Sequence, residues 1–337
     1  MTSRAGAGLL VVLGVVGNAG CSRADMYAIT GQPATDGGPS DLGVQPVPDT
    51  GPNDQDGEAA ADGDAGDQDA AAVTCPSPTL QPGDTSVTLQ VGSLTRSYVL
   101  HIPPTYDGSQ PAPLVVDYHG IGSSGWDELS SSPYPAVTDL EGVVMAFPDG
   151  MPGPIGTGWN MGPCCVADVD DFAFTRALVN QIQATACIDS SRIYAVGVLT
   201  GGGMVHSLAC RAADVFAAVA PAAFDLIEEM LDDCNPSRPI TVISFRGTAD
   251  SRVPYTGGAS SLVPGMPITF LGAEASFEQW AQIDGCTGSP STPDSDGCSS
   301  YSGCPAGVEV VLCTKQDGRE EPGDANIAWP ALKRHTL

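Results

Sequence analysis

Basic residues are scarce in this chain of 337 residues. It contains 13 Lys and Arg against 40 Asp and Glu, which gives a formal net charge of −27 at pH 7. Proteins that bind nucleic acid, or that dock electrostatically on anionic lipid, do so through clustered Lys and Arg. The composition therefore predicts no nucleic-acid partner and no electrostatic binding to a membrane surface.

Long apolar runs are missing as well. The run Leu9–Val16 follows Arg4 and is far too short to span a bilayer. A basic start, a short apolar run and small residues predict a signal peptide over residues 1–21. Cys21 directly follows Ala-Gly and resembles a bacterial lipoprotein processing site, although Asn18 departs from that pattern. We expect a protein that is secreted, or lipid-anchored through Cys21 at the bacterial cell surface or periplasm, and Cys21 would be its only membrane attachment.

Residues 22–74 lack apolar periodicity almost entirely. The segment consists mainly of Gly, Pro, Ala and Asp, and it carries eleven acids from Asp25 to Asp69 against one base, Arg23. Such a segment cannot bury enough apolar surface to offset the entropy of ordering, and charges of one sign extend it. We therefore predict a disordered acidic linker.

Cysteine, in contrast, is abundant, with 11 residues in the chain. Ten remain after Cys21, and an even number in an exported protein fits five disulfides, whose pairing the sequence leaves open. Adjacent Cys164 and Cys165 could ligate a metal, but the further ligands of a zinc site are not close in sequence. We expect no metal and no cofactor.

Strand patterns begin after Cys75. Alternating apolar residues over 87–91 and 98–102 flank a Gly-Ser turn, which predicts an antiparallel hairpin. Short unbroken apolar runs follow, and these are typical of strands that are covered on both faces. They are Pro113–Tyr118, Gly142–Phe147, Arg192–Gly197, Phe216–Ala220, Ile240–Phe245 and Val308–Cys313.

Helical periodicity falls between these runs. It predicts a helix after the acids at 168–171, a second over Gly203–Ala212 and a third over Ala273–Ile283. Strands that alternate with helices indicate an α/β fold with a mostly parallel central sheet and helices on both faces. We treat residues 75–337 as one such domain.

Several segments at and after the predicted strands resemble one family. They are VVDYHG, AFPDG, GWN with CC and VDDFAF, CIDSSRIYAVG, LAC with FAAVAP, and FRGTADSRVPYTGG, in that order over most of residues 85–315. This order resembles the secreted polyhydroxybutyrate depolymerases and feruloyl esterases, which have the α/β-hydrolase fold. The resemblance implies a Ser-Asp-His triad that hydrolyses esters of polyhydroxyalkanoates or of plant-wall hydroxycinnamates.

The nucleophile is the first departure from this family. The pattern Gly-x-Ser-x-Gly falls on residues 197–201, where Leu199 stands at the Ser position. Leu has no nucleophilic atom, and the chain contains no other Gly-x-Ser-x-Gly. Thr200 carries a hydroxyl one place further on, and it is either a substitute nucleophile or only the source of a backbone N–H.

The base is the second departure. The family's His follows the last strand, where this chain has Glu320, and a second alignment on His-x-Trp-Pro puts the position at Ile327. The four histidines are His101, His119, His206 and His335. We expect His101 and His206 to be structural, His119 to belong to the oxyanion turn, and His335 to be the remaining candidate for a relocated base.

The other site residues follow from the resemblance. Asp250 matches the triad Asp, with a turn-capping role as the alternative, and Arg246 could pair with it and keep it ionised. The implied oxyanion donors are backbone N–H groups of Gly120, Ile121 and Thr200. His119 and Trp159 are the implied substrate-binding residues, although Trp159 could equally be a packing residue.

Three hypotheses for function remain open. The first is a catalytically impaired member of this carboxylic-ester hydrolase family that binds ligands at the cell surface. The second is an active esterase with unorthodox residues such as Thr200 and Glu320, and the third is a gene without a selected role. Leu199 favours the first. We expect a monomer whose ligand is an ester, either small, polymeric or from the plant wall.

Overall fold

Apolar runs of the sequence assemble into a nine-stranded sheet. The computed structural model describes residues 75–337 apart from 78, 163, 264 and 321, so the predicted signal peptide, Cys21 and the linker over 22–74 lie outside the described residues. The strands in chain order are β1 (Gly83–Val91), β2 (Leu94–Ile102), β3 (Ala112–Tyr118), β4 (Val144–Pro148), β5 (Met151–Gly153), β6 (Gly156–Gly158), β7 (Ile188–Val198), β8 (Ala218–Ala222), β9 (Thr241–Gly247), β10 (Gly258–Val263), β11 (Met266–Phe270), β12 (Cys298–Tyr301) and β13 (Val310–Lys315).

The centre of the main sheet is parallel. Its order is β1-β2-β4-β3-β7-β8-β9-β13-β12. Strands β4 to β13 in this order run parallel, whereas β1, β2 and β12 pair antiparallel at the two edges. Strands β3, β4, β8 and β9 are buried at every position, which explains why apolar residues predominate in them. The carboxyl ends of the parallel strands meet at one edge, where a site is expected.

Helices cover both faces of the sheet. They are α1 (Gly125–Ser131), α2 (Pro135–Thr138), α3 (Asp171–Thr185), α4 (Thr200–Arg211), α5 (Ala273–Ile283) and α6 (Ala325–Leu332). One apolar core joins the sheet to α3, α4 and α5 through residues such as Phe174 and Trp280. A second core on the opposite face joins it to α1, α2 and α6, with Trp329 at its centre. Within the described part of the chain, none of the helices has the length and apolarity needed to cross a membrane.

The predicted α/β fold, hairpin, strands and helices are confirmed, with differences at their ends. Helix α4 begins at Thr200, before the predicted start at Gly203. The sequence did not place Gly201 and Gly202 in a helix because Gly is a poor helix former, but tight packing against neighbouring backbone puts both in the first turn. The sequence did not predict α1, α2, α6, the edge strand β12 or the small hairpins β5–β6 and β10–β11. Helix α6 escaped prediction because Pro330 lies inside it, where Pro normally breaks a helix.

The ten cysteines of the described residues form five disulfides, as predicted from the even cysteine count. The five pairs are Cys75–Cys187, Cys164–Cys165, Cys210–Cys234, Cys286–Cys304 and Cys298–Cys313. Cys164 and Cys165 therefore bond to each other, which leaves neither thiolate for the metal site considered above. Five disulfides in one domain indicate an extracellular protein.

Two acids are buried close together between β3 and α1. Asp117 and Glu128 are only 2% and 7% exposed, and Ser132 Oγ donates a hydrogen bond to Asp117 Oδ2 at 2.6 Å. Burial raises the pKa of Asp117 to about 7. Burial, together with the neighbouring Asp117, raises the pKa of Glu128 to about 9. The folded protein therefore favours the protonated form of both groups.

This pair predicts that stability falls as the pH rises. Carboxyls of the unfolded chain titrate near pH 4, so from about pH 4 to pH 9 the folded state binds more protons than the unfolded state. The free energy of unfolding contributed by these groups is therefore present at low pH and lost across this window. We expect Glu128→Gln to reduce the fall in Tm between pH 5 and pH 9, whereas Glu228→Gln at an exposed position should leave it unchanged. Thermal melting measures both, and the same pH dependence in both variants would contradict the assignment.

Candidate active site

The turn between β7 and α4 places Leu199 at its tip. Leu199 has φ 54° and ψ −124°, a conformation that costs an L-residue about 1–3 kcal/mol. Its N–H donates to the Ala222 carbonyl at 3.0 Å, and its own carbonyl accepts from the Gly203 N–H at 3.1 Å. The side chain is half-buried. The chain therefore keeps a sharp strand-to-helix elbow, with an isobutyl group where such an elbow in a hydrolase presents its nucleophile.

Close backbone contact explains the glycines around Leu199. A Cβ on Gly201 would lie 1.8 Å from the Tyr118 carbonyl oxygen, and one on Gly197 would lie 2.8 Å from the Gly201 carbonyl carbon. Any side chain at either position would overlap backbone atoms that cannot move independently. The two glycines of the elbow pattern are thus required by the packing of α4 against the end of β3.

The turn after β3 lies beside the elbow. A Cβ on Gly120 would lie 3.3 Å from Leu199 Cδ1, so the Leu side chain packs against this glycine. Gly122 N–H donates to the Thr157 carbonyl at 2.7 Å, which ties the turn to β6. This arrangement brings the predicted oxyanion residues Gly120 and Ile121 to the side of the elbow, and their role as donors together with Thr200 stays a prediction.

The side chains of His119 and Trp159 lie beneath this turn and form hydrogen bonds with backbone groups. Both side chains are fully buried. His119 Nδ1–H donates to the Gly120 carbonyl at 2.7 Å, and its Nε2 accepts from the Gly150 N–H at 2.9 Å, while Trp159 Nε1–H donates to the His119 carbonyl at 2.9 Å. Burial lowers the pKa of His119, which favours the neutral ring that this bonding requires. The prediction that these two side chains contact substrate is wrong, since neither reaches the surface.

Asp250 follows β9 and is held in one orientation. It is 6% exposed, and its Oδ1 accepts from the N–H groups of Arg252 and Val253 at 2.8 and 3.0 Å. Its Oδ2 is buried and has no hydrogen-bond partner among the described residues. Oδ1 thus performs the turn-capping role, while Oδ2 is the oxygen that would remain for an imidazole N–H in a triad.

Arg246 pairs with an acid that the sequence analysis missed. The buried Arg246 forms its ion pair with Asp225, and its Nη2 lies 4.0 Å from Asp250 Oδ2. The expected pairing with Asp250 is therefore secondary to a direct pair with Asp225. Burial raises the pKa of Asp225 to about 6, and Arg246 opposes this rise. Asp225 lies just after the end of β8. A search for acids after every strand, including β8, would have found it.

Neither candidate position for the base carries a basic group. The loop that contains Glu320 packs on the loop after β9, where the Ala249 N–H donates to the Gly318 carbonyl at 2.8 Å. The Glu320 carboxylate lies 2.7 Å from Arg252 Nε in an ion pair. Ile327 lies in the first turn of α6 and lines a cavity of about 560 Å³ with Phe245 and Gly323. Both positions therefore border the ends of β9 and β13, where a triad His would be needed.

The remaining histidines are structural. His335 is placed near the start of β7, because Tyr194 Oη–H donates to its carbonyl at 2.9 Å and the Leu337 N–H donates to the Ser191 carbonyl at 2.9 Å. That is the edge opposite Leu199, so the prediction of His335 as a relocated base is wrong. His206 is buried, accepts from Trp280 Nε1–H at 3.0 Å, and has a pKa lowered to about 3 by burial. His101 Nε2 lies 3.0 Å from Asp139 at the edge of the sheet.

Thr200 does not have the surroundings of a nucleophile. It is 1% exposed, and its Oγ1 has no hydrogen-bond partner among the described residues. An activated hydroxyl needs a base within hydrogen-bond reach. The structure therefore does not support Thr200 as a substitute for Ser.

Proteins with similar sequences to this chain are esterases. No protein-family model matches the chain. The chain is 44% identical over 248 residues to feruloyl esterase B of Piromyces equi, which covers 72% of this chain but only 46% of that protein. It is 29% identical over 231 residues to feruloyl esterase C of Emericella nidulans, across 64% of this chain and 80% of that protein. The chain thus spans about half the length of the Piromyces protein.

Solved structures with the same fold are also esterases. An acetyl xylan esterase from Aspergillus awamori superposes with a TM-score of 0.56 at 14% identity, covering 74% of this chain and 99% of that one. A thermostable esterase superposes with a TM-score of 0.51 at 14% identity, over 75% of this chain and 63% of that one. At this identity the likeness establishes the fold, and the sequence relatives specify the family. The part of the chain that the structure describes is a feruloyl esterase-like α/β-hydrolase domain.

Proposed function

We propose that this protein is an exported feruloyl esterase-like domain that has lost ester hydrolysis and retains ligand binding at the elbow. The observation that carries the proposal is Leu199 at the tip of the elbow, with φ 54°. The backbone conformation of a nucleophile elbow persists, while the atom that would attack the ester is absent.

The surroundings of Asp250 support the loss of activity. Its Oδ2 has no hydrogen-bond partner among the described residues, and the four histidines of the chain occupy structural positions. Nucleophile and base are thus both replaced, whereas the acid keeps its orientation. Loss of either group alone costs a serine hydrolase several orders of magnitude in rate.

The alternative of an active esterase that uses Thr200 and Glu320 has little geometric support. Thr200 Oγ1 is buried without a base, and Glu320 is paired with Arg252. For Glu320 to act as a base it would have to leave this ion pair, and Thr200 would have to turn toward the surface.

We expect no measurable hydrolysis of 4-nitrophenyl butyrate or methyl ferulate by the full chain. Leu199→Ser alone should not restore it, because Ser without a base is a weak nucleophile. Leu199→Ser combined with either Glu320→His or Ile327→His should restore a trace in whichever pair lets the imidazole reach Asp250 Oδ2. Release of 4-nitrophenol and of ferulate measures both effects.

Two results would overturn the loss of activity. Turnover by the unmodified chain that disappears in Thr200→Ala would make Thr200 the nucleophile. Turnover that survives Thr200→Ala but is lost in Glu320→Gln would indicate water activated by the carboxylate. A matched control is Glu309→Gln, since Glu309 also pairs with an Arg, here Arg334, but lies outside this loop.

Retained binding is a separate prediction. Methyl ferulate should bind the full chain saturably without being consumed, because the half-buried Leu199 and Ile121 offer apolar contacts beside the elbow. Leu199→Glu should weaken this binding by about tenfold or more, since it places a charge against the ligand. Leu140→Glu, at a position that is 82% exposed and distant in sequence from the elbow turns, is the matched control. Equilibrium dialysis that shows no saturable binding, or an equal loss in both variants, would contradict retained binding.

We also propose that a signal peptide over residues 1–21 exports the protein and that Cys21 carries a lipid, with residues 22–74 as the spacer. The sequence order of Arg4, Leu9–Val16 and Cys21 supports this. We expect mass spectrometry of the N-terminal peptide from the full chain expressed in a bacterium to show acyl groups on Cys21. A free N-terminus elsewhere, with unmodified Cys21, would contradict anchoring but not export.

A further inference from the structure

A second cavity, which no residue of the elbow lines, lies between α5, β12 and the end of β13. Its volume is about 300 Å³, and three aromatic rings line it, those of Tyr255, Phe277 and Tyr301. The rings of Phe277 and Tyr301 contact each other with centroids 4.9 Å apart and planes at 48°. Tyr255 Oη lies 2.8 Å from Thr314 Oγ1, a hydrogen bond that fixes the third ring. The cavity is thus a partly rigid aromatic pocket.

The charges at this pocket have one sign. Glu274 and Glu278 line it and are exposed, and both also line an adjoining cavity of about 380 Å³ that shares Tyr255. Among the described residues that line these two cavities, none is Lys or Arg. Burial raises the pKa of Tyr255, and the negative charge of Glu274 adds to this rise.

Lys315 lies next to the pocket without lining it. Thr314 and Gln316 line both the aromatic pocket and the cavity of about 560 Å³ beside α6, whereas Lys315 between them lines only the larger cavity. Arg246 also acts on the Tyr255 hydroxyl, but it is buried and paired with Asp225. The ligand-accessible charge at the pocket is therefore that of two carboxylates.

We propose that this pocket binds an organic ammonium group. Aromatic faces attract a cation through their quadrupole, and they do so most strongly for ammonium groups that are weakly hydrated, such as quaternary ones. Carboxylates at the rim add Coulomb attraction that a neutral ligand of the same shape would not feel. The net negative charge of the chain also raises the local concentration of cations, which favours binding of an ammonium group. This site is independent of ester binding at Leu199.

The test uses choline and its neutral isostere 3,3-dimethylbutan-1-ol, in which carbon replaces the ammonium nitrogen. Each is titrated into the full chain at low ionic strength and followed by calorimetry or by NMR. We expect choline to bind saturably and about tenfold more tightly than the isostere, and to weaken as salt is added. The isostere reports the apolar contribution alone, so the ratio of the two affinities measures the preference for charge.

Variants locate the site. Glu274→Gln and Glu278→Gln should each weaken choline binding by about threefold and leave the isostere unaffected, while Tyr301→Ala should weaken choline binding by about tenfold. Glu228→Gln, an exposed acid outside these two cavities, is the control and should change nothing. Leu199→Ser should likewise leave choline binding intact, which separates this site from the elbow.

Three outcomes would overturn the proposal. The first is the absence of saturable choline binding. The second is equal affinity for choline and the isostere, which would make the pocket a nonspecific apolar cavity. The third is unchanged affinity in the Glu274→Gln/Glu278→Gln double variant. Because the two Gln substitutions are isosteric at exposed positions, they test the proposal even where Tyr301→Ala fails to fold.

Discussion

The architecture around the candidate site depends on how closely the first turn of α4 approaches the end of β3. A side chain at Gly201 would overlap the Tyr118 carbonyl, and Gly202 and Gly203 are similarly close to Ala222 and to Phe224. This contact sets the path of the chain before α4, and with it the positive φ of Leu199. The elbow is therefore a consequence of helix and sheet packing, and it does not require a serine at its tip. The same turn can therefore form with Leu at its tip.

Buried charges at the ends of β8 and β9 form a second structural unit beside this turn. Arg246 pairs with Asp225 and lies within 4.0 Å of Asp250, so one cation serves two carboxylates in a region that excludes water. An uncompensated buried carboxylate is costly, whereas a paired one is tolerated. Arg246 thus makes the oriented Asp250 compatible with the fold in a chain that supplies no imidazole there. This explains in physical terms how a buried acid can be kept at this position without an imidazole partner.

Much of the fold was predictable because burial on both faces of a parallel strand leaves a direct mark on the sequence. The runs at β3, β4 and β9 are mostly apolar and buried throughout, and the alternation in β1 and β2 identifies an edge hairpin. Helix α6 was missed because Pro330 within it is a local signal that opposes a helix. At the site, the sequence identified the residues at the strand ends, but it implied a substrate contact for His119 and left Trp159 open between cleft and core, because the sequence does not show that both side chains are buried beneath the turn after β3.

The amino-acid sequence by itself determined the chemistry that is absent from the elbow, since no packing can give Leu199 a nucleophilic atom. It also determined the α/β class, because apolar periodicity is a local property of each segment. The number of disulfides followed from the cysteine count. Only the tertiary structure decided the disulfide pairing and the preference of Arg246 for Asp225. It also decided that Glu274 and Glu278 share a pocket with three aromatic rings. These features join residues that are distant along the chain, and their distances are fixed only when the strands and helices pack together.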